Sequence, residues 1–140
     1  MERTEDIMFP MICDHIRYGE AVKYMSEMFE REVFDSAVAL YSTGTLISVP
    51  GILSLKKDLL LFKDGVLIGS DVPSPQQMKG RRFILVGDVL TSGSVASELI
   101  KTIVDNGGTV VKLGFVVEDG QFNARKKSLK GYPVESMIRL

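Results

Sequence analysis

The run that most constrains this chain is Phe83-Ile84-Leu85-Val86-Gly87-Asp88-Val89-Leu90-Thr91-Ser92-Gly93-Ser94. Arg82–Val86 offers no polar face, which is the pattern of a central strand covered on both sides. It passes into a loop, residues 87–94, built from an acid, glycines and hydroxyls, and then into a helix predicted over Val95–Asn106. Gly107-Gly108 closes that helix. A strand, loop and helix of this kind requires parallel neighbours and helices over both faces, which points away from all-helical bundles and all-β sandwiches.

The rest of the chain provides them. Spacing near 3.6 predicts an amphipathic helix over residues 16–31, with Glu27 and Arg31 four apart on one face. Residues 36–41 read as a strand entering the tight loop Ser42-Thr43-Gly44-Thr45, and 46–57 as a helix interrupted by Pro50-Gly51. Asp58–Lys63 is a second buried strand, Asp64-Gly65 a hairpin turn and Val66–Gly69 its return. Residues 70–80 are polar and aperiodic. Thr109–Val117 reads as a strand, Gln121–Lys130 as a basic surface helix and Tyr132–Leu140 as the last strand. The expected architecture is α/β: a parallel sheet flanked by helices (residues 34–140) behind an N-terminal helical segment (residues 1–33).

At 140 residues the chain makes one domain, and 45% hydrophobic with 25% charged residues is the balance of a globular one. Seventeen Lys+Arg against eighteen Asp+Glu leave a net charge of -1, so no nucleic-acid partner is expected. No apolar run approaches the roughly 20 residues of a bilayer span. Cys13 and His15 are each the sole residue of their type, which excludes a disulfide framework and a Cys-based zinc cluster. With no export signal, a cytoplasmic location is expected. Met1, Met8, Met11, Met25 and Met28 concentrate in the first 28 positions, a composition suited to irregular core or subunit packing.

The loop of residues 87–94 carries the chemistry. Backbone amides of Ser92, Gly93, Ser94 and Val95 would lie at the positive end of the following helix, a phosphate site to which the hydroxyls of Thr91, Ser92 and Ser94 add donors. Gly93 permits close backbone approach. Asp88 at the strand end can accept hydrogen bonds from sugar hydroxyls. An acid beside a phosphate cradle suits a sugar phosphate.

The same segment resembles the phosphoribosyl-diphosphate signature of type I phosphoribosyltransferases. Gly114–Gly120 and Gly131–Ser136 are similar to the orotate phosphoribosyltransferase branch of that family. The resemblance covers roughly residues 34–140. It implies a Rossmann-like type I phosphoribosyltransferase fold with a reduced hood, and transfer of phosphoribose from phosphoribosyl diphosphate to a nucleobase. In that frame Asp88 holds ribose and Thr91, Ser92, Gly93, Ser94 and Val95 hold the 5′-phosphate. Ser42, Thr43, Gly44 and Thr45, with Lys63, hold diphosphate, while Glu118 and Asp119 lie on the base or metal side. Magnesium (Mg2+) arrives with the substrate, and a homodimer is implied, with the Met-rich helix as its natural interface.

The sequence departs from the family pattern at telling places. Gly87 replaces the first of two ribose-holding acids, which weakens affinity roughly ten- to a hundredfold. Val95 replaces a hydroxyl residue. Residues 64–80 lack the cations that cover the diphosphate in orotate enzymes, their lysine being Lys79. Glu118-Asp119 stands where an Asp-Arg pair is expected, so orotate's carboxylate would be repelled. A non-catalytic module sensing phosphoribosyl diphosphate or a nucleoside 5′-phosphate is therefore the alternative to an enzyme.

Overall fold

A computed structural model describes residues 2–140, with the Glu2 side chain left aside. Two helices, α1 (Glu2–Ile12) and α2 (His15–Phe29), precede β1 (Ser36–Leu40). There follow α3 (Ser48–Leu53), the hairpin β2 (Leu60–Lys63) and β3 (Val66–Ile68), α4 (Pro75–Met78), β4 (Arg82–Leu90), α5 (Ser94–Asp105), β5 (Thr109–Glu118) and β6 (Val134–Arg139). The six strands form one sheet in the order β3-β2-β1-β4-β5-β6. All pairings are parallel except the β2–β3 hairpin, which makes the sheet mixed where a wholly parallel one is expected.

Alternation along the central strands explains their unbroken apolar runs. Val38, Leu40, Phe83 and Leu85 pack beneath Leu99, Ile100 and Ile103 of α5. Ala37, Ala39, Ile84 and Val86 face the opposite way, against Met25, Met28 and Phe29 of α2, Ile47 at the start of α3 and Ile52 within it. Both faces are buried, as a sheet between two helical layers demands. The methionines answer to this arrangement: Met8, Met11, Met25 and Met28 are spent inside the chain's own core rather than left as a subunit face. Unbranched Met fills the irregular space where α1 and α2 cross the sheet.

Several element boundaries differ from expectation. β4 runs on through Gly87-Asp88-Val89-Leu90, which reads as loop in the sequence, because β5 stays in register to Val89↔Val117 and Leu90↔Glu118. α3 is shorter than residues 46–57; Pro50 falls in its first turn, where an N–H has no intrahelical partner to lose. A short helix stands in residues 70–80, started by a reciprocal cap between Ser74 and Gln77. Residues 121–130 are not a surface helix. Left-handed Asn123 (φ 53°) divides them into two 3-10 turns, Gly120–Phe122 and Ala124–Lys126.

Close packing of α2 depends on two glycines, Gly114 of β5 beneath it and Gly51 of α3 beside it. A Cβ on Gly114 would lie 2.6 Å from the Phe29 ring, and one on Gly51 2.5 Å from Met25. We expect Gly114→Ala to destabilise the protein by about 1–3 kcal/mol through overpacking; an unchanged urea midpoint would show that α2 can retreat without cost.

Candidate active site

The site is assembled where β1, β4 and β5 end. Beyond β4, Gly93 adopts the left-handed region (φ 75°) and α5 begins at Ser94. A side chain at 93 would be strained, and its Cβ would sit 2.6 Å from the Ser128 hydroxyl. Ser128 donates to the Ser92 carbonyl, and the Ser94 amide donates to the Ser92 hydroxyl at 3.3 Å. Thr91, Ser92, Gly93, Ser94 and Val95 line one small cleft of about 50 Å³, with Thr43 and Phe115 also on its walls. The five residues expected to hold a phosphate are thus together, at the positive end of a twelve-residue helix.

After β1 the chain makes a 3-10 turn, Tyr41–Thr43, and Gly44 takes φ 93°. The Thr43 hydroxyl donates to the Leu40 carbonyl at 2.8 Å. The Gly44 carbonyl accepts the Asp88 amide at 2.9 Å, which fastens this loop to β4. Gly87 faces Thr43 so closely that a Cβ there would overlap the Thr43 hydroxyl. A glycine in place of an acid at 87 is what leaves room for that side chain. Lys63, at the end of β2, lies over the Tyr41 ring at 5.2 Å, so the loop and the lysine expected beside it are neighbours.

Asp88 is buried and its oxygens are engaged. Oδ2 accepts the Leu46 amide at 2.9 Å and Oδ1 the Ser48 amide at 3.0 Å, with the Ile47 amide at 3.3 Å. The side chain expected to meet sugar hydroxyls is the cap of α3. Burial pushes its pKa above the ordinary carboxylate value, against the opposing pull of the Ser48, Ile47 and Leu46 amides. The sequence contains no local signal for this contact, since donor and acceptor lie about forty residues apart.

The acids at the end of β5 are compensated. Glu118 accepts Arg125 Nε at 2.9 Å and Ser136 Oγ at 2.8 Å, and Arg139 Nε lies 3.6 Å away. Asp119 accepts Arg3 from α1 at 3.1 Å and the Gln121 amide at 3.1 Å. The expected repulsion of an anionic base by these two residues is therefore corrected: arginines from three other segments cancel their charge. Burial would raise the Glu118 pKa, but hydrogen bonds from Arg125 and Ser136 and the nearby charges outweigh it and hold the group below its ordinary value. Lys79 packs beside Gly107 and precedes β4, at the far end of that strand from the cleft.

A second, larger cavity of about 450 Å³ adjoins the cleft. Its walls are the loop from Tyr41 to Leu46, Asp88, Val89, and Glu5, Met8, Phe9 and Ile12 of α1. Thr43 and Val89 line both cavities. The α1 residues escape sequence reading because Pro10 and mixed charges obscure the helix; their 5, 8, 9, 12 spacing is the signal that was available. Among the described residues no group of three or more His, Cys, Asp or Glu side chains is placed to hold a metal ion.

Comparison with known proteins fits this geometry. An adenine phosphoribosyltransferase of Thermotoga maritima is 31% identical over 146 residues, covering 92% of this chain and 83% of the relative. The chain belongs to the type I phosphoribosyltransferase family. No family model matches it. Among solved structures, adenine phosphoribosyltransferase from Thermoanaerobacter pseudethanolicus superposes with TM-score 0.76 at 23% identity, over 94% of this chain and 84% of that one. Orotate phosphoribosyltransferase from Aeropyrum pernix gives TM-score 0.71 at 22% identity, over 95% and 77%. The fold is thus shared with both branches of the family, and the leaning towards orotate enzymes gives way to sequence relatives named for adenine.

Two stability outcomes follow from these contacts. Asp88→Ala leaves the buried Ile47 and Ser48 amides unpaired, and a loss of about 1–3 kcal/mol is expected in urea unfolding. Glu118 has a lowered folded pKa, so its contribution is complete above its unfolded value of 4.5 and fades as pH falls through the lower folded value. Urea midpoints across this acid range should fall more steeply for the unmodified protein than for Glu118→Gln; parallel curves would remove Glu118 as the source.

Proposed function

We propose that this protein transfers the 5-phosphoribosyl group of phosphoribosyl diphosphate to a ring nitrogen of a nucleobase, releasing diphosphate. The observation that carries the reading is that the two cavities share a wall, Thr43 and Val89. A cleft sized for one small anion lies beside a larger, mostly apolar pocket that the Ser42–Thr45 turn also lines, an arrangement that suits a 5′-phosphate beside diphosphate and base.

In this reading the amides and hydroxyls of Thr91–Val95 hold the 5′-phosphate at the α5 terminus. Thr43, beside Gly87, faces the pentose, and the turn Ser42–Thr45 receives the diphosphate. A base nitrogen attacks C1 of the sugar as the bond from C1 to the diphosphate oxygen breaks. The electron pair leaves on diphosphate, and the base gives up its N–H proton to solvent. Magnesium enters as part of the substrate and supplies charge neutralisation on the leaving group. Lys63 adds the protein's own cation at that end of the trench. Asp88 acts indirectly, by fixing the turn that receives diphosphate.

The test is diphosphate release from phosphoribosyl diphosphate with adenine as acceptor, paired with calorimetric binding of ribose 5-phosphate. Ser94→Asp suits the start of a helix and should leave folding intact while abolishing ribose 5-phosphate binding by repulsion. Lys63→Ala should reduce turnover roughly tenfold with ribose 5-phosphate affinity unchanged. Binding of ribose 5-phosphate with no release in the presence of adenine, hypoxanthine, guanine or orotate would favour a non-catalytic sensor instead.

A further inference from the structure

We infer that Glu5 reads the edge of the base and restricts the acceptor to neutral nucleobases carrying an amino group. This inference rests on the reading of the adjoining cavities as a phosphoribosyl site and names its specificity-determining residue.

The argument begins with helical spacing. Residues 5, 8, 9 and 12 recur at i, i+3, i+4 and i+7, so α1 turns Glu5, Met8, Phe9 and Ile12 towards one side, and all four line the larger cavity. Buried Thr4, Met8 and Met11 anchor the same helix to the body of the protein. The Arg3–Asp119 ion pair ties its first turn to the end of β5. The facing wall is also held, because the Tyr18 hydroxyl donates to the Leu46 carbonyl. Glu5 is therefore carried on an element fixed at several points.

The lining then decides what the cavity accepts. Met8, Phe9, Ile12, Leu46 and Val89 give it a mostly apolar lining suited to an aromatic ring, with the hydroxyls of Ser42, Thr43 and Thr45 on the turn beside them. Two carboxylates line it. The oxygens of Asp88 already receive the amides of residues 46–48. Glu5, half-buried, has no hydrogen-bond or ion-pair partner among the described residues. An ionised carboxylate accepts hydrogen bonds and donates none. In apolar surroundings it favours a ring edge that presents N–H groups and disfavours one that presents a carbonyl or a carboxylate, where acceptor would face acceptor. A 6-aminopurine satisfies that demand, a 6-oxopurine offers an oxygen at the same place, and a carboxylated pyrimidine brings a like charge. Discrimination against an anionic base thus passes from the neutralised Glu118 and Asp119 to Glu5.

Calorimetric titration of the full chain with ribose 5-phosphate and with the 5′-monophosphates of adenosine, inosine and orotidine tests this, using the unmodified protein, Glu5→Gln and Glu5→Ala. The unmodified protein should bind the adenosine nucleotide at least roughly tenfold more tightly than the inosine nucleotide, and the orotidine nucleotide more weakly still. Glu5→Gln can donate as well as accept, so the adenosine-to-inosine ratio should fall towards one and the orotidine nucleotide should gain. Ribose 5-phosphate has no base, and equal affinity in all three proteins shows an intact phosphate site. Equal affinities for the adenosine and inosine nucleotides in the unmodified protein, or a ratio that Glu5→Gln leaves unmoved, would overturn the role of Glu5 while the site itself stands. Failure of the unmodified protein to bind ribose 5-phosphate would overturn the phosphoribosyl reading and this inference with it.

Discussion

The Asp88 carboxylate is the contact on which the rest of the site depends. It stands at the end of β4 and receives the amides that open α3, while its own amide is received by Gly44. The connection between β1 and α3 is thereby fastened to the end of β4 at Gly44 and again at residues 46–48. Burying a carboxylate is costly unless its charge is met by donors. Here the donors are backbone amides, which cannot move away as side chains can. The 3-10 turn after β1 is consequently set against β4, and Thr43 comes to rest opposite Gly87.

From that junction the trench follows. Thr43 and Val89 stand between a small cleft lined by backbone and hydroxyl donors and a larger, mostly apolar cavity, and line both. α1 closes the second cavity from the side. The acids at the end of β5 contribute by holding elements in place: Asp119 anchors α1 through Arg3, and Glu118 draws in Arg125 and Arg139. Charge that looks functional along the sequence has become structural, and the carboxylate left facing the cavity is Glu5.

Much of the α/β plan was legible because its signals are local. Apolar runs placed the strands and 3.6 spacing placed α2; the loop before α5 and Gly107-Gly108 after it placed that helix, and Asp64-Gly65 placed the hairpin. That Thr91–Val95 gather at the start of α5 was legible for the same reason, since a glycine and hydroxyl loop leading into a helix is a local pattern. The misjudged elements were those in which a distant partner overrides local preference. β4 was lengthened by pairing with β5. The segment after β5 was kept out of a helix by left-handed Asn123 and by the pull of Glu118 on Arg125.

The sequence by itself determined the class of fold, the position of the glycine and hydroxyl loop before α5 and the family to which the chain belongs, because periodicity and short motifs are properties of neighbouring residues. Only the tertiary structure decided what each charged residue is for. Asp88, Glu118 and Asp119 look equivalent along the chain, yet one caps a helix and two hold arginines, while Glu5 faces an open cavity. Their partners are far away in sequence, and the energy of a charge is set by burial and by the groups that surround it in space.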